Sequence, residues 1–276
     1  MKNGQDRILV VTPTLGESEF LQRTVASVEA QPVPLTHVIC APEKKRQALQ
    51  NRFPRARVVP DAGKAGGIYG ALNSALASAG ADWEWFTYIN DDDALLPGFG
   101  EVFRQHLAAG AADGVIYGDV ELTDEHDRTI GLITVERNPA WIPALLQQGI
   151  SPLMQQGTLF HREIVQRLKG FDTRYRLCAD LDFWLRAHVA GAAFRYYPRR
   201  VAQFRVRSGQ LSGNTSLTEQ EQQEIVGRHL AFPISPLHKR VARWRYRACN
   251  LPRYLRRARS RGFQTSYQIL QGKASS

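Results

Sequence analysis

The chain has 276 residues, 43% of them hydrophobic, 22% charged and 9% aromatic, which suits one large globular unit and excludes a wholly disordered, collagen-like or disulfide-scaffold chain. Its formal charge of +10 is unevenly placed: no acidic residue follows Glu224, residues 225 to 276 hold 12 of the 36 Lys and Arg, and residues 1 to 224 net −2. The basic balance therefore belongs to the C-terminal segment, and any polyanion or membrane partner concerns that segment.

Cys40, Cys178 and Cys249 are widely spaced and form no CxxC pair, so neither a zinc knuckle nor a disulfide framework is indicated and a reducing cytosol fits. The first apolar run is too short for a signal h-region. No run reaches the roughly 18 apolar residues of a membrane-spanning helix. Secretion and spanning are not expected; a cytoplasmic protein, peripheral on the inner face of the membrane at most, is.

Ile8 to Val11 is a continuous apolar run closed by Thr12, Pro13 and Thr14, and Phe20, Leu21, Thr24, Val25 and Val28 follow at helical spacing. His37 to Ala41 and Arg57 to Val59 read as short strands around a charged helix at Lys44 to Arg52. Ile68 to Ala79 reads as a small-residue helix, and Trp85 to Ile89 as another buried strand. Strands alternating with helices imply right-handed βαβ units, so the first 120 residues predict a nucleotide-binding, mostly parallel sheet flanked by helices.

After a strand at Val115 to Gly118 the pattern changes. Val120 to Val135 reads as an antiparallel excursion, and strands at Gln156 to Phe160 and Phe194 to Tyr197 bracket helices at Glu163 to Leu168 and Asp180 to Ala190. Ser208 to Ser216 reads as a mobile loop and Glu219 to Arg228 as a helix. The expected organisation is a domain over residues 1–224, with a donor half to residue 120 and an acceptor half from 121, then a basic helical tail over 225–276.

The chemistry concentrates at Asn90, Asp91, Asp92 and Asp93, directly after the buried strand that ends at Ile89. Ligands of open α/β sheets bind beyond the carboxyl ends of strands. Three adjacent carboxylates raise one another's pKa unless a cation neutralises them, and hard oxygen ligands suit Mg²⁺ or Mn²⁺ bridging to a diphosphate. Asp91 and Asp93, two apart on an extended turn, face one side as metal ligands, with Asp93 the principal one, and Asp92 lies between them toward the sugar or ribose. The structural alternative is an N-cap and a solvated acidic turn.

An ordered series of motifs surrounds this cluster. Val11-Thr12-Pro13-Thr14 closes the first strand; Asp61, Gly63, Lys64, Gly66, Gly67, Ile68, Tyr69, Ala71, Leu72 and Asn73 lead into a helix; and Leu95, Leu96, Pro97 and Gly98 follow the aspartates. Gln155 to Phe160, Gly170-Phe171-Asp172 and Ala179 to Arg186 come later. Over roughly residues 6 to 225 the series resembles family 2 glycosyltransferases of the GT-A fold. Two positions depart from that pattern: Gly70 stands where relatives often carry Asp, and Ala179 precedes Asp180 where many carry Glu. Near Ser208 to Ser212, where some relatives place a metal-binding His, this chain offers Arg207 and Gln210.

The resemblance implies an inverting, metal-dependent transfer of a sugar from a nucleotide-diphosphate sugar to a glycan or lipid-linked acceptor hydroxyl. It implies Asp180 as the base, with Asp182 in support. It also implies Thr12, Pro13, Thr14 and Glu17 around base and ribose, Asp61 on the base, Lys64 on the diphosphate and Gly67 allowing close backbone approach, with Asp91 and Asp92 also on the nucleotide. Trp184 and Arg186 could serve as acceptor platform and phosphate clamp, or as core, and Gln155 and Gln156 could meet sugar hydroxyls or cap a strand. The competing readings are a nucleotidyltransferase of similar fold, against which the base-free Thr12 to Glu17 turn counts, and a non-catalytic polyanion binder using the tail. No specific nucleic acid is expected.

In the tail, Leu237, Val241, Trp244, Ala248, Leu251 and Leu255 recur at steps of four and three among arginines, which predicts a basic amphipathic helix, kinked at Pro252. Such a helix could lie in an anionic membrane interface, pack on its own domain or meet a partner protein.

Overall fold

The structure is a computed structural model that describes residues 7–61, 66–111, 113–133, 135–207, 210, 215–251 and 255. Among the described residues nine strands form one sheet: β1 (Ile8–Pro13), β2 (Leu35–Ala41), β3 (Arg57–Pro60), β4 (Trp85–Tyr88), β5 (Ala94–Leu95), β6 (Val115–Thr123), β7 (Thr129–Ile133), β8 (Leu159–His161) and β9 (Phe194–Arg205). The helices are α1 (Leu21–Glu29), α2 (Glu43–Arg52), α3 (Gly67–Ser78), α4 (Pro97–Ala108), α5 (Ile142–Leu146), α6 (Arg162–Leu168), α7 (Ala179–Val189), α8 (Thr215–His229) and α9 (Pro236–Cys249).

The strand order is β3-β2-β1-β4-β8-β6-β9-β5, with β7 paired to β6. The first four strands are parallel as expected: β1 pairs parallel with both β2 and β4, and β2 with β3. From β8 onward the sheet is mixed. β8 runs antiparallel to β4 and β6, β7 to β6 and β5 to β9, while β6 and β9 are parallel. The parallel order of the first strands gives way to a mixed arrangement where β8 enters between β4 and β6 against their direction.

Alternation along the central strands builds two apolar layers. Leu9, Val11, Phe86 and Tyr88 face α3 and α7, whereas Ile8, Val10 and Trp85 face Val28 of α1 and Phe99, Val102 and Phe103 of α4. Helix α4 falls where the sequence shows only a Pro-Gly turn. Pro97 sits in its first turn, and a Cβ on Gly98 would come within 2.2 Å of the Arg200 carbonyl oxygen. The glycine is thus fixed by close packing of α4 on β9. Strand β9 also outruns its expected end at Tyr197, reaching Arg205 beside the aspartates.

Two motif residues join α3 to the segment before α7. The Asn73 side chain donates to the Phe171 carbonyl at 2.9 Å and accepts from the Phe171 amide at 2.9 Å. A Cβ on Gly170, whose φ is +80°, would lie 2.4 Å from Asn73 Oδ1, so the glycine serves both the left-handed turn and the close approach. Phe171 then stacks on Phe183 of α7, ring centroids 4.7 Å apart.

The boundary drawn after Glu224 falls inside α8, whose Ile225 is fully buried, and Leu230 just beyond it is buried in the same core. Further on, α9 rests on α5: Ala242 and Tyr246 pack with Ala144 and Leu145, Tyr246 Oη donates to the Ser151 carbonyl, and Arg243 Nε donates to Gln148 Oε1. The first part of the tail is thereby tied to the domain. Pro252 and the arginines 253, 256 and 257 lie outside the described residues, as does most of the Ser208 to Ser216 loop.

Candidate active site

The aspartates follow β4, in the turn that leads to β5. Asp93 is 2% exposed and engaged at both carboxylate oxygens: Oδ1 accepts from the Arg205 amide at 2.9 Å, and Oδ2 accepts from Gln156 Nε2 at 3.0 Å and Asn90 Nδ2 at 3.3 Å. Burial and the neighbouring Asp92 charge push its pKa well above the carboxylate range, and those three donors pull the other way. The Arg205 side chain donates to the carbonyls of Asp92 and Asp124 and pairs with Asp127, its guanidinium 4.0 Å above the Phe20 ring. Asp93 and Arg205 are thus a buried junction between β5 and β9.

Asp91 and Asp92 are held differently. Thr14 Oγ1 donates to Asp91 Oδ2 at 2.5 Å, and Ser18 Oγ donates to the Asp91 carbonyl. The Asp91 carboxyl is raised by burial first, with Thr14 opposing and the Asp92 charge adding. Asp92, 7% exposed, accepts at Oδ2 from Arg207 Nε at 3.0 Å and Gln210 Nε2 at 3.1 Å. The two residues found where relatives place a metal-binding His therefore both reach Asp92.

Among the described residues no three His, Cys, Asp or Glu side chains converge as a ready-made metal cage. The surroundings nevertheless suit a hard cation that is ligated partly by a substrate. Among the described residues, the side-chain donors Thr14, Arg207 and Gln210 reach Asp91 and Asp92 at Oδ2. Three buried amide oxygens in the same region, Asn90 Oδ1, Gln155 Oε1 and Gln156 Oε1, have no hydrogen-bond partner among the described residues. Orphaned buried acceptors next to carboxylates fit a group that brings positive charge or donor hydrogens. The expectation that Asp93 is the principal ligand meets a carboxylate already held on both oxygens.

Asp180 opens α7. Its Oδ1 accepts from the Leu181 amide at 2.8 Å and lies 3.3 Å from Tyr69 Oη, which also donates to the Leu177 carbonyl at 3.0 Å. Burial raises the Asp180 pKa to about 6, against the lowering effect of the Leu181 amide and Tyr69. Tyr88, at the end of β4, is pushed far up by burial and then by Tyr69, Asp180 and Asp93. Tyr88, three residues before Asp91, thus feels the charge of Asp180 as well as that of Asp93.

Glu221 of α8, which motif reading does not single out, fixes the entry to α7. Buried at 6% exposure, it accepts from the amides of Arg176, Leu177 and Cys178 at 2.8 to 2.9 Å. These are donors at and just before a helix start, which α7 itself leaves without partners. Asp182, expected in support or facing solvent, is 1% exposed and bound to Arg186 Nε at 2.6 Å and His229 Nε2 at 2.8 Å. Arg186 also donates to the carbonyls of Leu168 and Gly170. It is a tie inside the domain rather than a phosphate clamp, and Trp184, 5% exposed, belongs to the core.

The remaining expected residues divide. Thr14 is at the aspartates, but Thr12 is fully buried with Oγ1 2.9 Å from His37 Nε2, and Pro13 is buried in β1. Glu17 is exposed beside Lys45, and the amide of Asp61, after β3, donates to the Ala41 carbonyl. Gly67 starts α3 with φ +55° and open space where a Cβ would be. Lys64 lies outside the described residues. Gln155 Nε2 donates to the Tyr88 carbonyl, and Gln156 braces Asp93.

The sheet with carboxylates beyond the end of β4 has the GT-A-like architecture that the sequence leads one to expect. The family model described as "Glycosyl transferase family 2" matches residues 9–168. The chain belongs to that family and is a glycosyltransferase. Two uncharacterized glycosyltransferases of Mycobacterium tuberculosis, from strains CDC 1551 / Oshkosh and H37Rv, are each 29% identical over 192 residues, covering 65% of this chain and 68% of theirs. Among solved structures, Staphylococcus aureus TarS 1-349 in complex with UDP-GlcNAc superposes with a TM-score of 0.60 at 14% identity, over 93% of this chain and 76% of that one. A mannosyltransferase of Pyrobaculum calidifontis in complex with GDP-Man and Mn²⁺ gives 0.55 at 14%, over 94% and 77%. The chain spans 43% of the length of the longer TarS structure. At such identities the superpositions establish the fold.

Proposed function

We propose that this chain transfers a sugar, with inversion, from a nucleotide-diphosphate sugar to the hydroxyl of a glycan or lipid-linked acceptor. The observation that carries the reading is Asp180: a half-buried carboxyl at the start of α7, 3.3 Å from Tyr69 Oη, with its pKa raised to about 6 and its charge felt at Tyr88 just before the aspartate turn. A base of that pKa is ionised at neutral pH yet takes a proton readily. The acceptor O–H proton moves to Asp180 as the oxygen attacks the anomeric carbon. The bond from that carbon to the diphosphate oxygen breaks, and the nucleoside diphosphate leaves. Attack opposite the leaving group inverts the anomeric centre.

The donors in the TarS and mannosyltransferase complexes support a nucleotide-diphosphate sugar, and the Mn²⁺ of the latter supports a divalent metal. Asp91 and Asp92 would hold that cation through the oxygens that Thr14, Arg207 and Gln210 leave aside, with Asp93 as the buried strut beneath them. Bound there, it would neutralise charge developing on the departing diphosphate. Thr14 would orient Asp91, Gln155 and Gln156 would offer amide oxygens to sugar hydroxyls, and Gly67 would let the nucleotide approach the start of α3. Asp61 and Lys64 would complete the donor side, with Glu17 at its exposed edge.

Thermal-shift measurements with UDP, GDP, dTDP and CMP, with and without Mn²⁺, test the donor, because a ligand that binds only the native state raises its melting temperature. One nucleotide should stabilise most, and only with metal. No stabilisation by any nucleotide, or an equal one without metal, would reject the donor and metal assignment.

A further inference from the structure

Among the described residues nine large hydrophobic side chains are exposed, and six of them fall within residues 232–255: Phe232, Leu237, Val241, Trp244, Leu251 and Leu255. Helix α9 carries the centre of this patch and has two faces. Ala242 and Tyr246 are buried against α5. At ~100° per residue, Leu237, Val241, Trp244 and Ala248 fall in an arc of about 60° on the opposite side. Leu237 is 71% and Trp244 72% exposed, so docking on the domain does not cover the stripe.

Cations border the stripe on both sides. The same spacing puts exposed Arg240, Arg243 and Arg247 along one edge and the half-buried Arg245, set over the Trp141 ring, along the other, and residues 225–276 contain no Asp or Glu. This charge pattern selects the occupant. A second copy laid stripe to stripe would set arginine rows against arginine rows with no carboxylate between them. An anionic lipid surface offers phosphates to the arginines and acyl chains to Trp244 and Leu237.

We propose that α9, held to α5 through Ala242 and Tyr246, docks the protein on anionic membrane surfaces with its Leu237–Val241–Trp244 face. The domain side of α9 has a further consequence. Ile142 and Leu146 of α5 pack in the same core as Leu181 and Trp184 of α7, so the docking helix stands one helix away from the one that carries Asp180. Docking would hold that layer close to the lipid. The inference goes beyond sugar transfer and does not depend on it.

The test is co-sedimentation of the intact chain with vesicles of phosphatidylcholine alone and of phosphatidylcholine mixed with phosphatidylglycerol, at low and high salt. The parent should bind the mixed vesicles, bind neutral ones about tenfold less, and weaken with salt. Leu237→Glu combined with Trp244→Glu should cost about tenfold or more in vesicle affinity while leaving the melting temperature in place, because both side chains are exposed. Mixed vesicles should also shift tryptophan emission to the blue in the parent but not in Trp244→Phe. Equal binding to both vesicles, binding to neither, or undiminished binding of the Glu pair would overturn the proposal. So would a concentration-dependent dimer that the Glu pair abolishes, since the occupant would then be a second copy.

Discussion

Replacing Tyr69 by Phe tests whether the protonation of Asp180 sets the acid limit of the reaction. Tyr69 Oη lies 3.3 Å from Asp180 Oδ1 and lowers the Asp180 pKa, which burial raises to about 6. A hydrogen bond of this kind contributes ~0.5–1.5 kcal/mol net, and at 1.36 kcal/mol per unit its loss raises the pKa by ~0.4–1 unit. Only the ionised carboxylate accepts the acceptor proton, so kcat/KM should fall as pH drops through about 6 in the parent and at ~6.5–7 in Tyr69→Phe. Near pH 8 the two should be nearly equal. Asp180→Asn should lose ~10²–10⁴ in rate, ~3–5 kcal/mol, and show no such limb, while nucleotide binding persists. Initial-rate pH profiles of sugar-donor turnover decide the matter. A limb that stays in place or moves to lower pH in Tyr69→Phe, or one that survives in the residual activity of Asp180→Asn, refutes Asp180 as the base.

The same Asp180→Asn variant should show the energetic cost of the site. A folded pKa raised to about 6 means ionisation opposes folding: stability is full below about pH 4 and lost as pH rises through about 6. The melting temperature of the variant should therefore exceed that of the parent at pH 7.5, with the gap closing toward pH 4, and a gap that widens on acidification would contradict this. Asp93→Ala leaves three donors without their acceptor, at ~1–3 kcal/mol each, and should lower the melting temperature by ~10 °C or more. Asp92→Ala should abolish metal-dependent nucleotide binding with a much smaller change in melting; the reverse pattern in calorimetry and nucleotide titration would return the cation to Asp93. Glu221→Ala orphans the amides of Arg176, Leu177 and Cys178, so it should destabilise by ~3 kcal/mol or more and reduce kcat. A variant with parental melting and turnover would show that α7 needs no such brace.

Much of the donor half is legible because its signals are local. The run Ile8 to Val11, the helical spacing of Leu21, Thr24, Val25 and Val28, and the aspartates after a buried strand each reflect neighbours within a few residues. What each aspartate does is not local. The partners of Asp93 come from 63 residues away at Gln156 and 112 at Arg205, and the amides that Glu221 holds are 43 to 45 residues before it. Spacing leads to the expectation that Asp91 and Asp93 share a side of the turn; it does not show which of them the protein has already satisfied.

The α9 stripe illustrates the same point at the surface. Its periodicity is plain in the sequence, and the ordinary inference would turn its largest apolar residues toward the core. The domain instead takes Ala242 and Tyr246, which pack with Ala144 and Leu145 of α5, and Tyr246 finds a carbonyl at Ser151. Close packing favours a small residue where two helices meet, and the polar tip of a tyrosine needs a partner when buried. Leu237 and Trp244 are left outside by that choice. Apolar periodicity thus reveals that α9 has an apolar face, while packing of Ala242 and Tyr246 on α5 leaves Leu237 and Trp244 of that face exposed.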